Sequence, residues 1–271
     1  MQHALRLKRG EFPYWFVALA GLCLYLGFRI ATDDVYRPMF ATISKGIGIT
    51  LLVTTLGFTF ACIIGLGLAL AQGSRLKVLR QAARFWIELI RGVPIIVLLA
   101  YVAFVAIPGL IAAYGVVAAP AISAGLLPAI ENRDIDLFHR AIAALAIGYG
   151  AFIAEIFRAG IDAVDKGQIE AAKALGLSRM KAFRLIVLPQ AVRIILPPLG
   201  NDLISMVKDS ALVSAIGVGD IAFMGKVAAS NSFRFFEAYN IVAFLYLIMT
   251  IGLSLGVRGM ERRMARSDEG R

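Results

Sequence analysis

The 271-residue chain is 59% hydrophobic and 17% charged, with a mean hydropathy of +0.79, whereas soluble domains sit near about 45–50% apolar and about 25% charged; a soluble fold is excluded and a lipid solvent is required. The formal charge of +10 would suit nucleic acid, but the Lys and Arg residues lie between apolar stretches and form no basic stripe, so membrane topology is the better cause. Cys23 and Cys62 fall inside apolar runs with no metal-ligand spacing and read as lipid- or core-facing residues.

Met1–Gly10 is basic and precedes an apolar run at 12–30, a superficial match to a secretory signal. Phe28-Arg29-Ile30 offers no small-residue cleavage site, so this run is expected to stay in place as a signal-anchor helix. Further apolar runs at 46–71, 85–112, 140–158, 190–207 and 237–257 each fit a tilted helix of about 20 residues. None shows the alternation of a barrel strand, and the expected class is all-α, a polytopic membrane helical bundle of about six transmembrane helices.

Eighteen Lys and Arg residues fall on one side of these spans, in the clusters at 6–9, 75–84, 158–184 and 258–271, and six on the other: Arg37, Lys45, Arg133, Lys208, Lys226 and Arg234. The positive-inside rule then places both termini in the cytoplasm of a bacterial inner membrane, as an even number of spans requires. Residues 113–138, broken by Pro120 and Pro128, are expected outside as a re-entrant or surface piece, and 208–236 as a long external stretch.

Residues 159–189 are cytoplasmic in this topology and too rich in helix formers for a plain loop. Within them 166–189 reads as two helical stretches split at Gly176, a C′ glycine ending the first, with Ser178 capping the second. Ile169, Ala172 and Leu175 or Gly176 recur three and four apart, a small-residue face that would seat closely in a groove on another protein. A helical linker lying on the membrane surface fits the same periodicity.

The spacing Glu170-Ala171-Ala172, three residues, Gly176, nine residues, Ile186, one residue, Leu188-Pro189 matches the EAA signature of ATP-binding cassette (ABC) importer permeases. Glu88–Pro94, Gly148–Ile161, Leu188–Arg193 with Pro197, Gly200 and Asn201, and Lys208-Asp209-Ser210 resemble the polar amino-acid permeases of the histidine and glutamine type. That resemblance implies a type I permease architecture, with residues 1–45 an added helix and external connection, 46–258 the permease core and 259–271 a basic cytoplasmic tail. It also implies that Glu170, Ala171, Ala172, Ala174, Leu175, Gly176 and Leu177 form the coupling helix that docks on an ABC ATPase dimer. ATP and Mg would then bind that partner, and a second permease subunit, identical or homologous, and a periplasmic or lipid-anchored substrate-binding protein would complete the importer. The chain departs from the family at Asp165, where Pro is usual, Ile169 (an aromatic), Val93 (Thr) and Leu98 (Gln).

In the fifth run a rise of about 1.5 Å per residue from Gln190 puts Asn201 and Asp202 roughly 15 Å deep, near the midplane. Asn201, Ser205 and Lys208, with Asp202 and Asp209 on an overlapping face, are candidate pathway residues; Thr54 and Thr55, beside Thr50, are weaker ones, because such hydroxyls often only bond neighbouring helices. Asp202 would meet a substrate ammonium, or pair with Arg91, or cap backbone freed at Pro197-Pro198. Glu155 and Arg158, three apart, read as a structural ion pair, and Gly252–Gly256 as a GxxxG packing pattern. A secondary transporter or channel would leave the EAA spacing unexplained. An enzyme is disfavoured, since His3 and His139 form no catalytic or metal constellation, no G-x-S-x-G or H-E-x-x-H occurs, and Gly225-Lys226 lacks the rest of a P-loop.

Overall fold

The computed structural model describes residues 14–269; the basic Met1–Gly10, the first residues of the run at 12–30, and Gly270 and Arg271 lie outside them. All regular structure among the described residues is helical: α1 Tyr14–Thr32, α2 Tyr36–Ile43, α3 Gly46–Gln72, α4 Lys77–Arg91, α5 Ile95–Tyr101, α6 Ile107–Val117, α7 Ala119–Ser123, α8 Leu137–Asp162, α9 Lys166–Ala174, α10 Arg179–Ala182, α11 Leu188–Asp209, α12 Ile221–Ser232 and α13 Phe235–Glu269. Among the described residues five stretches are long and apolar enough to cross a membrane: Tyr36–Gln72, Ile95–Val117, Leu137–Asp162, Arg179–Ile216 and Phe235–Arg262. The apolar part of α1 is the shorter Val17–Thr32.

Helix α8 is the centre of the bundle, with 67% of its apolar stretch buried against 22% or 28% in the other spans. Its small residues allow this. A Cβ on Gly65 of α3 would meet Ile153 Cγ2 at 2.7 Å, and one on Gly150 of α8 would meet Ile64 Cγ2 at 2.8 Å, so the two helices interlock through reciprocal glycine notches. Close approach of this kind, rather than hydrophobic segregation, holds membrane helices together. Gly160 seats Ile195 of α11, and Gly200 of α11 seats Val257 of α13 in the same way.

One expected segment differs in the structure, and two gain detail. The run at 85–112 is not one span: residues 77–91 form a separate helix, Gly92–Pro94 break it, and the membrane helix is Ile95–Val117. Pro94 disfavours helix at the residue before it and lacks an N–H, which ends α4. The external piece 113–138 begins with the last turn of α6 and the short α7 before the loop at 124–136. The stretch 208–236 is ordered: α11 tightens into a 3-10 turn over Ser210–Ile216, Gly217 reverses at φ +92°, and α12 follows. Asp220 starts α12 by accepting from Phe223 N–H at 2.9 Å and Ala222 N–H at 3.2 Å. Its side chain is fully buried, and that desolvation pushes its carboxyl above the ordinary range against the pull of those bonds.

Two π turns, Val102–Ala106 between α5 and α6 and Phe183–Val187 between α10 and α11, each end two residues before a proline. In the first, Ile107 N–H bonds Val102 C=O, so the next carbonyl, Ala103, would need Pro108, which has no N–H. Arg140 supplies the donor instead: its Nη1 reaches Ala103 O at 2.7 Å, while Nε holds Ile135 O at 2.8 Å and Nη2 holds Asn132 O. One buried guanidinium thereby fastens the end of the loop at 124–136 to a membrane helix. Asp136 caps α8 beside it, and the bond from His139 N–H, at 3.0 Å, holds its carboxyl below the ordinary range.

Candidate functional site

The segment after α8 has two faces with different fates. Asp165 caps α9, accepting from Gly167 N–H at 2.6 Å, so the residue that departs from the family starts the helix in proline's place. Helix α9 ends in a Schellman turn: Leu177 N–H bonds Ala172 C=O at 3.0 Å and Gly176 N–H bonds Lys173 C=O at 2.9 Å, with Gly176 at φ +75°. Ser178 Oγ accepts from Lys181 N–H at 3.4 Å and opens α10, which continues through the π turn into α11.

Ala172 is 1% exposed, and Ile169 packs on Val164, Val187, Ala191 and Ile195. The small Ala172 therefore lets α9 approach its own chain. The outward surface is Glu170, Ala171, Lys173, Ala174 and Leu175, and Leu175 is 82% exposed. Gln190 Nε2 of α11 donates to Gln168 Oε1 of α9 at 2.5 Å, a polar tie beside the apolar one.

Deeper in the bundle the polar residues of α11 part company. Asn201 and Lys208 are exposed, and Ser205 is half-buried. Asp202 is half-buried, with Oδ2 enclosed and lacking a hydrogen-bond partner. Arg91, a candidate partner for it, lies over the Phe152 ring at 5.6 Å. Asp209 accepts a 2.7 Å hydrogen bond from the Tyr149 hydroxyl of α8, and Tyr149 is within electrostatic reach of Asp202 as well. Thr54 is buried with Oγ1 unpartnered, while Thr55 is exposed and its carbonyl accepts from Thr59. The candidate pathway residues thus do not form one cluster: Asp202 faces the bundle, Asn201 and Lys208 the surface.

Tyr149 was the residue sequence reasoning passed over; its signal was a lone phenol between Gly148 and Gly150, whose hydroxyl must find a partner when buried. A second network, Tyr246 hydroxyl to Asp220 Oδ2 at 2.9 Å and Ile221 N–H to Thr50 Oγ1 at 3.2 Å, ties α13, α12 and α3 together. Glu155 pairs with Arg158 at 2.7 Å and accepts from Gln72 Nε2 at 2.9 Å, and Arg158 also reaches Asp162 at 3.1 Å. Among the described residues no group of His, Cys, Asp and Glu is placed to hold a metal ion.

Residues 61–267 match the family of binding-protein-dependent transport system inner membrane components. The chain belongs to this family. It is 35% identical over 227 residues to the glutamine transport system permease protein of Escherichia coli, covering 84% of this chain and 94% of that one. The L-cystine transport system permease protein of Bacillus subtilis is 34% identical, with 83% and 88% covered. The arginine transport system permease protein of the same organism is 31% identical, with 85% and 96% covered. A crystal structure of an amino acid ABC transporter with histidines superposes with a TM-score of 0.69 at 37% identity, over 84% of this chain and 95% of that one. An inward-facing methionine ABC transporter shares the fold, with a TM-score of 0.61 at 22% identity, over 83% of this chain and 97% of that one. The permease is thus the multi-pass membrane subunit of an ABC importer of the polar amino-acid type, and ATP is hydrolysed on a separate ATPase subunit.

Proposed function

We propose that the permease moves polar L-amino acids inward across the bacterial inner membrane by alternating access. Its relatives transport glutamine, L-cystine and arginine, and an unpartnered carboxylate at Asp202 suits the ammonium that these substrates share. In this reading α1 crosses as a sixth span, both termini face the cytoplasm, and residues 46–258 are the translocating core with 1–45 and 259–271 as additions. Two permease chains, identical or homologous, sit on an ATPase dimer and receive substrate from a binding protein outside.

The observation that carries the reading is the build of α9: an exposed surface of Glu170, Ala171, Ala174 and Leu175 on a helix tied to α11 through Gln168–Gln190 and Ile169. A push on that surface passes into the helix that bears Asn201 and Asp202. Gly176→Leu tests it, because a side chain at φ +75° strains the turn without touching any membrane-spanning contact. The variant is expected to fold and insert, to lose most of its ATPase on co-purification, and to lose ATP-driven amino-acid uptake in vesicles. Normal values of both would overturn the coupling role.

A further inference from the structure

Helix α4 has three faces. At 100° per residue, Ala83, Ile87 and Ile90 share an arc of about 60°, and all three are buried on the bundle. Lys77, Arg80, Arg84 and Arg91 occupy the next arc of about 60°. Opposite that charged arc lie Val78, Phe85, Leu89 and Trp86, exposed at 83%, 68%, 48% and 40%. A helix with one flank on protein and a cationic face opposed to an open apolar face has the build of one lying in a membrane surface, with its apolar side in the acyl region and its cations at headgroup level.

The charges are not neutralised locally. No Asp or Glu occurs between Asp34 and Glu88, so Arg75, Lys77 and Arg80 have no acid within two turns, and Glu88, one turn after Arg84, forms no ion pair among the described residues. Arg84 and Arg158 line a cleft of about 380 Å³ with Gln72, Ile87, Glu88 and Glu155. There Glu155 and, beside it, Asp162 are engaged by Arg158, and no ion pair holds Arg84 among the described residues. Helices α3 and α5, which flank α4 in the chain, both belong to membrane spans, so the bilayer meets this surface at both ends.

We propose that α4 binds acidic phospholipid of the cytoplasmic leaflet, with the headgroup phosphate held by Lys77, Arg80 and Arg84 and the acyl chains lying on Phe85, Trp86 and Leu89. Each cation near an anionic surface contributes a preference of about five-fold in lipid affinity. The chain has two tryptophans, so a Trp15→Phe protein reports on Trp86 alone. In phosphatidylcholine nanodiscs, brominated phosphatidylglycerol is expected to quench Trp86 at a mole fraction several-fold below that required of brominated phosphatidylcholine. Lys77→Gln with Arg84→Gln should bring the two lipids together while leaving the unquenched spectrum in place. Equal quenching by both lipids before mutation, or no quenching by either, would overturn the proposal. So would a double variant that keeps its lipid preference but loses the ATPase subunit on co-purification, which would assign these cations to that partner.

Discussion

Asp202 and Asp220 are both enclosed carboxylates, and their surroundings give them opposite prospects. Asp220 is satisfied by two backbone N–H groups and the Tyr246 hydroxyl, so Asp220→Ala removes a cap and takes the carboxylate acceptor from the half-buried Tyr246 phenol. A loss of about 1–3 kcal/mol is expected, read as a lower unfolding midpoint in detergent with uptake per folded molecule retained. Asp202 Oδ2 has no partner, so Asp202→Ala should leave the midpoint nearly unchanged and lower uptake at subsaturating amino acid by about ten-fold or more, a difference of about 1.4 kcal/mol or more. Ser205→Ala, which removes no charge, should change uptake far less; wild-type uptake in a well-assembled Asp202→Ala protein would take that residue out of the pathway. That Asp202 and Ser205 share one helix was legible in the apolar run that carries them. The Tyr149–Asp209 bond was not, because it joins positions 60 apart and no local spacing encodes it.

The spans could be read as apolar runs because each needs about 20 such residues whatever its neighbours are. Their junctions could not be read this way. Within 85–112 the apolar average hid Arg91, Gly92 and Pro94, which divide a surface helix from a span, and only the packing of Ile87 and Ile90 shows where the first belongs. The helix within 208–236 was not legible because α12 is short and stabilised from outside its own periodicity, by the Asp220 cap and by Gly225 fitting under Val242. Where elements interlock through glycine, added bulk should be felt: Gly150→Leu puts a side chain where Cβ alone would lie 2.8 Å from Ile64 Cγ2. Overpacking there is expected to cost about 1–3 kcal/mol. Gly67→Leu, on the same α3 but with open space at its Cβ, should cost little, and thermal unfolding of the pair separates the two cases.

At the scale of the whole molecule, the cation bias predicts an orientation with α9 in the cytoplasm. A cysteine at Ser178, in a protein with Cys23 and Cys62 replaced by Ala, should resist an impermeant maleimide in intact cells and react after permeabilisation. Labelling from outside would reverse the topology. The opposite end of the bundle has its own asymmetry, set by Arg140. Because that guanidinium moors Asn132, Ile135 and the Ala103 carbonyl that Pro108 leaves without a backbone donor, the loop at 124–136 is held at one end by a buried cation and at the other by exposed turn bonds, Gly125 N–H to Ile122 C=O, Leu126 N–H to Ala121 C=O and the Tyr114 hydroxyl to Pro128 C=O, with nothing within 4 Å of a Cβ at Gly125. The chain therefore carries a graft point: an epitope inserted after Gly125 should leave assembly intact, and the same epitope after Asn132 should pull the mooring loose.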